Sequence, residues 1–239
     1  ARELKKNDDL QKELVANISH DLRTPLTMIK GYGEVMRDLP GENTPENVQV
    51  IIDETQRLSE LVNDLLDLSK LQAGTRKLTL SRFNLTELTR SVMTRYEKLT
   101  QKDGYRITYD CDGSVEVSAD RTMILQVIYN LINNAANYTG EDKKVQIRQI
   151  TENGLCRIEV ADTGEGIPPE QLPRIWDRYY TVKNYYKRPV AGTGLGLSIV
   201  KNILLLHGAQ FGVQSEVGQG STFWFALPEV FPDTPEVDE

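Results

Sequence analysis

Apolar residues return at near-helical spacing among charged neighbours through the first 38 positions, which predicts one long amphipathic helix. These positions are Leu4, Leu10, Leu14, Ile18 and Leu22. The pattern stops over residues 39–45, where two prolines flank a Gly-Glu-Asn-Thr segment that is typical of a turn. A second helix is predicted to follow, ending at about residue 71.

An apolar seam in the second helix alternates steps of three and four residues, so this helix needs a partner helix to cover it. The seam consists of Val48, Ile51, Thr55, Leu58, Val62 and Leu65. Leu61 and Leu66 widen the apolar stripe beyond the width that a two-helix hairpin covers. Two hairpins paired into a four-helix bundle would cover it, and we therefore predict a homodimer. The alternative is a hairpin that packs against the second domain of its own chain.

Helical and alternating patterns are mixed beyond residue 72, which predicts a second domain of the α+β class. We predict a linker over 72–80, helices near 85–100, 120–138 and 194–207, and hairpins over 143–161 and 211–225. This order of elements favours a mixed sheet with helices on one face. The domains are therefore predicted at 1–75 and 76–228, followed by an acidic, Pro-rich tail over 229–239 that we expect to be disordered.

Length and charge limit the classes of partner. The chain has 239 residues, 39% of them hydrophobic, which is enough for two packed domains. Its net charge of −7 argues against nucleic acid as a partner, because nucleic acid calls for a basic surface. No apolar run approaches the length of a membrane span. Cys111 and Cys156 lack metal-ligand spacing, and we interpret them as buried thiols in a reducing compartment.

His20, one of two histidines, stands beside groups that suit chemistry at its ring. Neutral imidazole is a usable nucleophile at physiological pH. The carboxylate of Asp21 can accept the ring proton, or hold one ring nitrogen protonated so that the other points outward. Thr24 lies on the same helical face, where its hydroxyl could position a water molecule. Pro25 lacks an N–H, so we expect a helix kink here. The alternative interpretation is a structural histidine and a proline that is tolerated at a bend of the bundle.

Three asparagines share one face of the predicted helix over 120–138, namely Asn130, Asn134 and Asn137. Amide oxygens are hard ligands that suit Mg²⁺, which takes its other ligands from water and phosphate groups. We therefore interpret this face as a site for Mg²⁺ and a triphosphate, with Asn134 and Asn130 as the metal ligands. The alternative is an ordinary polar helix face.

Two glycine-rich segments follow this helix. Asp162 ends a predicted strand, and its carboxylate can accept a hydrogen bond from the exocyclic amine of adenine, although Asp-Thr-Gly-Glu-Gly also fits an ordinary turn. The Gly-Thr-Gly-Leu-Gly-Leu-Ser segment at 192–198 opens a helix, whose free N–H groups suit an anion. Residues 179–191 lie between the two segments and are predicted to form a lid over the nucleotide.

The motifs resemble, in order, the phosphoacceptor box and the N, G1, F, G2 and G3 boxes of the sensor histidine kinases of two-component systems. The F box is Ile-Trp-Asp-Arg-Tyr-Tyr at 175–180, and the last box is Gly-Gln-Gly-Ser-Thr-Phe at 218–223. The resemblance implies autophosphorylation of His20 from ATP with Mg²⁺, followed by transfer to an aspartate of a response regulator. It also implies a fold in which a dimeric four-helix bundle is followed by an α/β sandwich shared with gyrase-type ATPases.

Residue roles are also implied by the resemblance. His20 would be phosphorylated, Asp21 would act as a base, and Thr24 would assist dephosphorylation of the regulator. The implied ATP-binding residues are Asn130, Asn134, Asn137, Tyr138, Asp162, Gly164, Gly166, Ile167, Arg178, Lys183, Gly192, Thr193, Gly194, Leu195, Gly196, Leu197 and Thr222. Asn137 stands where the family usually has Lys or Arg, and Thr181 where it often has Arg. Both changes remove positive charge, which Arg178 or Lys183 would have to replace.

These observations predict an ATP-dependent protein-histidine kinase. We expect the cytoplasmic portion of a membrane-anchored sensor whose N-terminal region is absent from this sequence. Two alternatives are an enzyme whose main output is regulator dephosphorylation, and a nucleotide-sensing dimeric scaffold with weak kinase activity. A gyrase-type ATPase is disfavoured, because that class needs a carboxylate base in the asparagine helix and position 130 is Asn.

Overall fold

The computed structural model describes residues 2–72, 77–177 and 194–231. The chain divides into two compact units, Ala1–Ala73 and Gly74–Glu239. The first unit contains helices α1 (Arg2–Asp38) and α2 (Pro45–Gln72), which pack against each other and confirm the predicted hairpin. Among the helices in these described ranges, none is long and apolar enough to cross a lipid bilayer.

The connection between α1 and α2 follows from its turn residues. Thr44 precedes α2, and its side-chain oxygen accepts a hydrogen bond of 3.2 Å from the backbone N–H of Asn47. Pro45 opens the helix, where its fixed φ angle fits and its missing N–H costs nothing. Gly41 has a φ of +91°, a conformation that favours glycine.

Much of the apolar surface of the hairpin is exposed. In the described part of the first unit, Leu61 is buried at 3% exposure, whereas Val48 and Val62 of the predicted seam remain exposed. The large exposed apolar side chains of this unit are Leu26, Met28, Val35, Leu39, Val48, Ile52, Val62 and Leu66. Folding of a single hairpin therefore leaves a broad apolar surface uncovered.

The second unit is built on a five-stranded sheet in the order β2–β4–β5–β7–β6. Its strands are β2 (Arg106–Cys111), β4 (Lys144–Glu152), β5 (Leu155–Asp162), β6 (Gln210–Glu216) and β7 (Gly220–Pro228). The β2–β4 pair is parallel and the other three pairs are antiparallel, so the predicted mixed sheet is confirmed. Strands β1 (Ser81–Asn84) and β3 (Glu116–Ala119) form a separate antiparallel ribbon.

Three helices accompany the sheet: α3 (Leu85–Asp103), α4 (Arg121–Tyr138) and α5 (Gly196–Leu206). Alternate residues of the central strands are buried, as in β4, where Val145 and Ile147 are fully buried while Lys144 and Arg148 are exposed. The helices therefore cover one face of the sheet, and the α+β class is confirmed. The core is formed by buried apolar side chains of α4, of α5 and of the sheet strands, among them Phe223 of β7.

Strands β1, β2 and β3 were not predicted from the sequence. Each is four to six residues long, and none carries a continuous run of buried apolar side chains. Their pairing is non-local, since Ser81 pairs with Ala119 and Arg106 pairs with Lys144. Short strands of this kind are formed by distant partners rather than by their own pattern.

The end of the described chain also differs from expectation. We expected disorder from residue 229, but the N–H of Glu229 donates to Gly154 O at 2.9 Å, and that of Val230 donates to Glu116 O at 2.8 Å. The ordered chain therefore extends beyond β7, and residues 232–239 lie outside the described ranges. Cys156 is buried as expected, whereas Cys111 is only half-buried on the edge strand β2.

Candidate functional site

His20 lies on α1 with 79% of its side chain exposed. Its Nδ1 is 3.3 Å from Oδ1 of Asp21, so the carboxylate can hold a proton on that nitrogen. Within the described residues, Nε2 of His20 has no hydrogen-bond partner and remains available as a nucleophile. This contact fits the second of the two roles that the sequence left open for Asp21, and both roles stay predictions.

The hydroxyl of Thr24 is exposed and donates to the backbone carbonyl of His20 at 3.3 Å. Because Thr24 is four residues after His20 in the helix, it lies on the same face as the histidine, one turn later. Pro25 is buried, and α1 continues through it without interruption. The expected kink at Pro25 stays a prediction.

One asparagine of α4 has a partner on a neighbouring helix. Asn133 accepts a hydrogen bond of 2.5 Å from the Tyr96 hydroxyl of α3, so its role is structural. Asn130, Asn134 and Asn137 are half-buried and share one face of the helix by their spacing. Asp120 caps the start of α4 and accepts from two backbone N–H groups, which explains where this helix begins.

Asn130 contains a buried polar atom without a partner. Its Nδ2 has no hydrogen bond within the described part of the chain. An unpaired buried amide group is costly, and exchange of the two ends of the amide would place an oxygen at this position. The side chain is therefore compatible with a hard cation as its missing partner.

The glycine segment that opens α5 lies beside this asparagine. A Cβ atom added to Gly196 would stand 3.6 Å from Asn130 Oδ1, an ordinary contact distance. Gly194 has a φ of +65°, and Leu195 is fully buried and anchors the start of α5. Leu197 is half-buried in the first turn. The structure thus brings the N-terminus of α5, which suits an anion, next to the asparagine face.

Asp162 lies at the end of β5 and is 6% exposed. Its Oδ1 accepts from Gly164 N at 2.8 Å and from Ser221 N at 3.3 Å, while no described residue donates to Oδ2. Burial raises the pKa of the Asp162 carboxyl above its ordinary value, and the two N–H donors partly offset this. Asp162 thus keeps one carboxylate oxygen available to a hydrogen-bond donor.

The glycines after Asp162 are required by close backbone contacts. A Cβ on Gly164 would lie 1.9 Å from Tyr138 O at the end of α4, and one on Gly166 would lie 2.0 Å from Glu216 O. Gly166 also has a φ of +71°. No side chain fits at these distances, so the turn packs backbone to backbone against its neighbours.

Two further predicted residues lie beside this turn. The N–H of Ile167 donates to Ser215 Oγ at 2.8 Å, which fixes the chain after Gly166. Thr222 of β7 is half-buried and pairs with Ala161, the residue before Asp162. The predicted set from the G1 and G3 segments is therefore assembled at one end of β5.

Four predicted ATP-binding residues, Arg178, Lys183, Gly192 and Thr193, lie outside the described residues, as do Thr181 and the lid over 179–191. Their roles stay predictions. The chain just before them is anchored by Trp176, whose ring lies edge-on to Phe211 and Phe223 with centroid separations of 5.2 and 5.8 Å.

Sequence reasoning missed one group of polar residues at this site. Thr139, Asp142 and Thr163 connect the end of α4 to the turn after Asp162 through side-chain hydrogen bonds. The available signal was a hydroxyl residue directly after the asparagine helix and another directly after Asp162. Among the described residues, no three or more His, Cys, Asp or Glu side chains cluster as a metal site.

The second histidine is structural. His207 caps the end of α5, where its Nδ1 lies 2.7 Å from Ile203 O and its Nε2 accepts from Asp120 N at 3.0 Å. Both ring nitrogens are therefore engaged by backbone groups. This agrees with the interpretation of His207 as a helix-end residue, and it adds a link to the start of α4.

Each of the two units matches a known protein-family model. Residues 10–74 match the model of the His Kinase A (phospho-acceptor) domain. Residues 119–230 match that of the histidine kinase-, DNA gyrase B-, and HSP90-like ATPase. Sensor protein SrrB of Staphylococcus aureus (strain N315) is 33% identical over 225 residues, covering 93% of this chain and 39% of SrrB. The chain thus spans about two fifths of the length of the curated relatives it matches.

Solved structures show the same two-part architecture. Histidine kinase ThkA, in complex with response regulator protein TrrA, has a TM-score of 0.70 and 28% identity, covering 96% of this chain and 65% of ThkA. Full-length ShkA in complex with AMPPNP has a TM-score of 0.68 and 28% identity, covering 91% of this chain and 46% of ShkA. With an exposed histidine on the first unit and a gyrase-type nucleotide fold in the second, the chain belongs to the sensor histidine kinases.

Proposed function

We propose that this chain transfers the γ-phosphoryl group of ATP to His20 and then to an aspartate of a response regulator. The observation that carries the proposal is the exposed His20 ring, with Nδ1 beside Asp21 and Nε2 open, in one chain with a gyrase-type ATPase unit. We assign the phosphoacceptor domain to 1–75 and the ATP-binding domain to 76–228. The regulator is inferred by analogy with the ThkA–TrrA complex.

Nucleotide placement follows from the polar groups of the second unit. The open oxygen of Asp162 accepts from the adenine amine, and Gly164 and Gly166 let the turn after Asp162 pack closely against Tyr138 and Glu216. The phosphates extend toward the N-terminus of α5 at Gly196, beside the asparagine face. Binding of AMPPNP to the related ShkA supports a triphosphate as the ligand.

Asn134 and Asn130 are the residues that would hold Mg²⁺, and the unpaired amide of Asn130 supports this assignment. Bound Mg²⁺ would neutralise charge on the phosphates during transfer. Asn137 adds no positive charge, so Arg178 and Lys183 are the candidates for direct contact with the phosphates.

In the transfer step, Nε2 of His20 attacks the γ-phosphorus. A nitrogen–phosphorus bond forms as the phosphorus–oxygen bond to ADP breaks. Asp21 keeps the proton on Nδ1, balances the positive charge that develops on the ring, and can accept that proton afterwards. Transfer then depends mainly on in-line positioning of the two groups.

Labelling with ATP radioactive at the γ-phosphate tests the kinase assignment. Wild-type protein with Mg²⁺ should acquire acid-labile, base-stable label, and His20→Gln should acquire none. His207→Gln is the matched control, because it removes the other histidine and should retain label. Label that persists at the wild-type level in His20→Gln would refute the assignment.

We also propose that Thr24 supports dephosphorylation of the regulator, because its exposed hydroxyl lies one turn from the histidine. Thr24→Ala should stop dephosphorylation of a phosphorylated receiver domain and spare autophosphorylation. Thr27→Ala is a matched control, since Thr27 makes the same kind of helix contact, to Arg23 O at 2.8 Å. Equal loss of dephosphorylation in both variants would contradict a specific role for Thr24.

We also propose how the chain assembles with a second copy and within a longer protein. The exposed apolar side chains of the hairpin support a homodimer built as a four-helix bundle. The chain spans about two fifths of the length of the sensor proteins that it resembles, and we propose that it is the cytoplasmic portion of a membrane-anchored sensor.

A further inference from the structure

A chain of side-chain hydrogen bonds joins the end of α4 to the turn that carries Asp162. Thr139 is 1% exposed, and its hydroxyl lies 2.8 Å from Lys144 O and 3.0 Å from the Thr163 hydroxyl. Thr163 in turn donates to Asp142 Oδ1 at 2.5 Å. Thr139, Thr163 and Asp142, here called the threonine clamp, thus connect two segments that are 24 residues apart.

The available protons fix the direction of these bonds. An ionised Asp142 can only accept, so the single hydroxyl proton of Thr163 points toward it. The Thr163 oxygen is then left as an acceptor for the single hydroxyl proton of Thr139, which also has Lys144 O as an acceptor at 2.8 Å. The hydrogen bond from Thr163 lowers the pKa of Asp142, which keeps this carboxylate in the accepting form at neutral pH.

Backbone contacts place the threonine clamp where two segments touch. A Cβ on Gly140 would lie 2.7 Å from Thr163 O, and a Cβ on Gly164 would lie 1.9 Å from Tyr138 O. The hydroxyl pair therefore sits between two close backbone approaches. On one side is the last turn of α4, and on the other is the turn whose first residue is Asp162.

We propose that Thr163 is a positioning residue for the nucleotide, which through Thr139 and Asp142 holds Asp162 at a fixed distance from the asparagine face of α4. The inference rests on the proposed placement of adenine at Asp162 and of the phosphates beside α4. Thr163 acts through these neighbours, so its loss lowers the fraction of molecules with a formed pocket. Affinity falls with that fraction, while the rate at saturating ATP changes little.

Thr163→Val tests the inference, because it removes the hydroxyl and keeps the side-chain shape. We expect the dissociation constant of a fluorescent ATP analogue and the KM for ATP to rise by about fivefold, a factor typical of one hydrogen bond. The autophosphorylation rate at saturating ATP should stay within about twofold of wild type. Thr163→Ser should restore affinity, since it retains the hydroxyl, and Asp142→Ala should weaken binding in the same direction.

Thr86→Val is the matched control for a purely structural effect. Thr86 is, like Thr139, a buried hydroxyl residue of this unit, and it lies 3.0 Å from Gln149 Oε1 in a separate network around Gly113 and Val115. This variant should lower the melting temperature and leave nucleotide affinity unchanged. Equal loss of affinity in Thr86→Val and Thr163→Val would show a general stability effect and overturn the inference.

Asp162→Asn separates the inference from the proposed nucleotide placement. Weak binding by Asp162→Asn together with wild-type binding by Thr163→Val would overturn the role of Thr163 and leave the placement intact. Wild-type binding by both variants would overturn the placement, and the inference with it.

Discussion

At the scale of single residues, Asp162 combines burial with charge. Its carboxyl is buried at the end of β5, and two backbone N–H groups occupy one of its oxygens. Burial disfavours the ionised carboxylate and therefore raises the pKa of Asp162. The arrangement is explained if the second oxygen has a ligand partner.

The raised pKa of Asp162 makes a prediction about stability without nucleotide. Between the ordinary pKa of an aspartate and the raised value, the folded state binds more protons than the unfolded state. Protonation of Asp162 therefore contributes fully to the free energy of unfolding below the ordinary pKa. This contribution is lost as pH rises through the raised pKa. Asp162→Asn should be at least as stable as wild type at neutral pH, and its advantage should shrink on acidification.

Thermal unfolding of nucleotide-free Asp162→Asn and wild type, from mildly acidic to neutral pH, measures this effect. ATP affinity should fall by at least about tenfold in the same variant, because an amide offers a donor where the adenine amine needs an acceptor. A variant that is less stable at neutral pH and binds ATP normally would contradict both statements.

At the scale of elements, the glycines at the ends of β5 and α5 have different functions. Gly164 touches Tyr138 O so closely that any side chain must displace backbone, whereas a Cβ on Gly196 would make an ordinary contact with Asn130. The first glycine is required by the fold. In the nucleotide placement proposed above, the second leaves room for the phosphates.

Two alanine variants separate these functions. Gly164→Ala should lower the melting temperature sharply, by several degrees or more, since a backbone clash costs more than the gain in rigidity. Gly196→Ala should fold with wild-type stability and lose most of its ATP affinity. Circular dichroism melts and nucleotide titrations report the two effects, and equal melting temperatures for the two variants would contradict the distinction.

The predictability of these elements from sequence depended on how local their determinants are. Helix α4 was predicted because its helical pattern and its asparagines lie within one segment, and the cap at Asp120 that the structure adds belongs to the same segment. The link from His207 to Asp120 N spans 87 residues, and the ribbon of β1 and β3 depends on a partner more than 30 residues away, so neither has a local signature.

The candidate site shows the same dependence. Asn130, Asp162 and Gly196 were identified from residue type and spacing, because the chemistry of a nucleotide limits the residues that can bind it. The threonine clamp was missed, since Thr139 and Thr163 are common residues whose contact arises only when β5 and the end of α4 meet.

At the scale of the whole molecule, the hairpin carries most of the large exposed apolar side chains of the described residues. Ile52 and Leu66 are 53% and 52% exposed on α2, and Val217 is 61% exposed on the second unit. Because the three side chains are similarly exposed, Val217 is a suitable control for substitutions of Ile52 and Leu66. A four-helix bundle would cover the first two and leave Val217 in solvent.

Ile52→Glu combined with Leu66→Glu should convert the dimer to a monomer, because charged side chains would be buried in the bundle. Val217→Glu should remain dimeric. Sedimentation velocity measures the mass of each variant directly. A wild-type monomer, or a dimer that survives the double substitution, would contradict the bundle.

The central claim is that ATP bound by the second unit phosphorylates His20 at Nε2. Asp21 occupies the other ring nitrogen, so the position of the phosphate on the ring tests the geometry as well as the residue. Phosphorus and nitrogen NMR of the labelled protein distinguishes the two nitrogens. The account predicts phosphate on Nε2 of His20; phosphate on Nδ1, on His207, or on no histidine would contradict it.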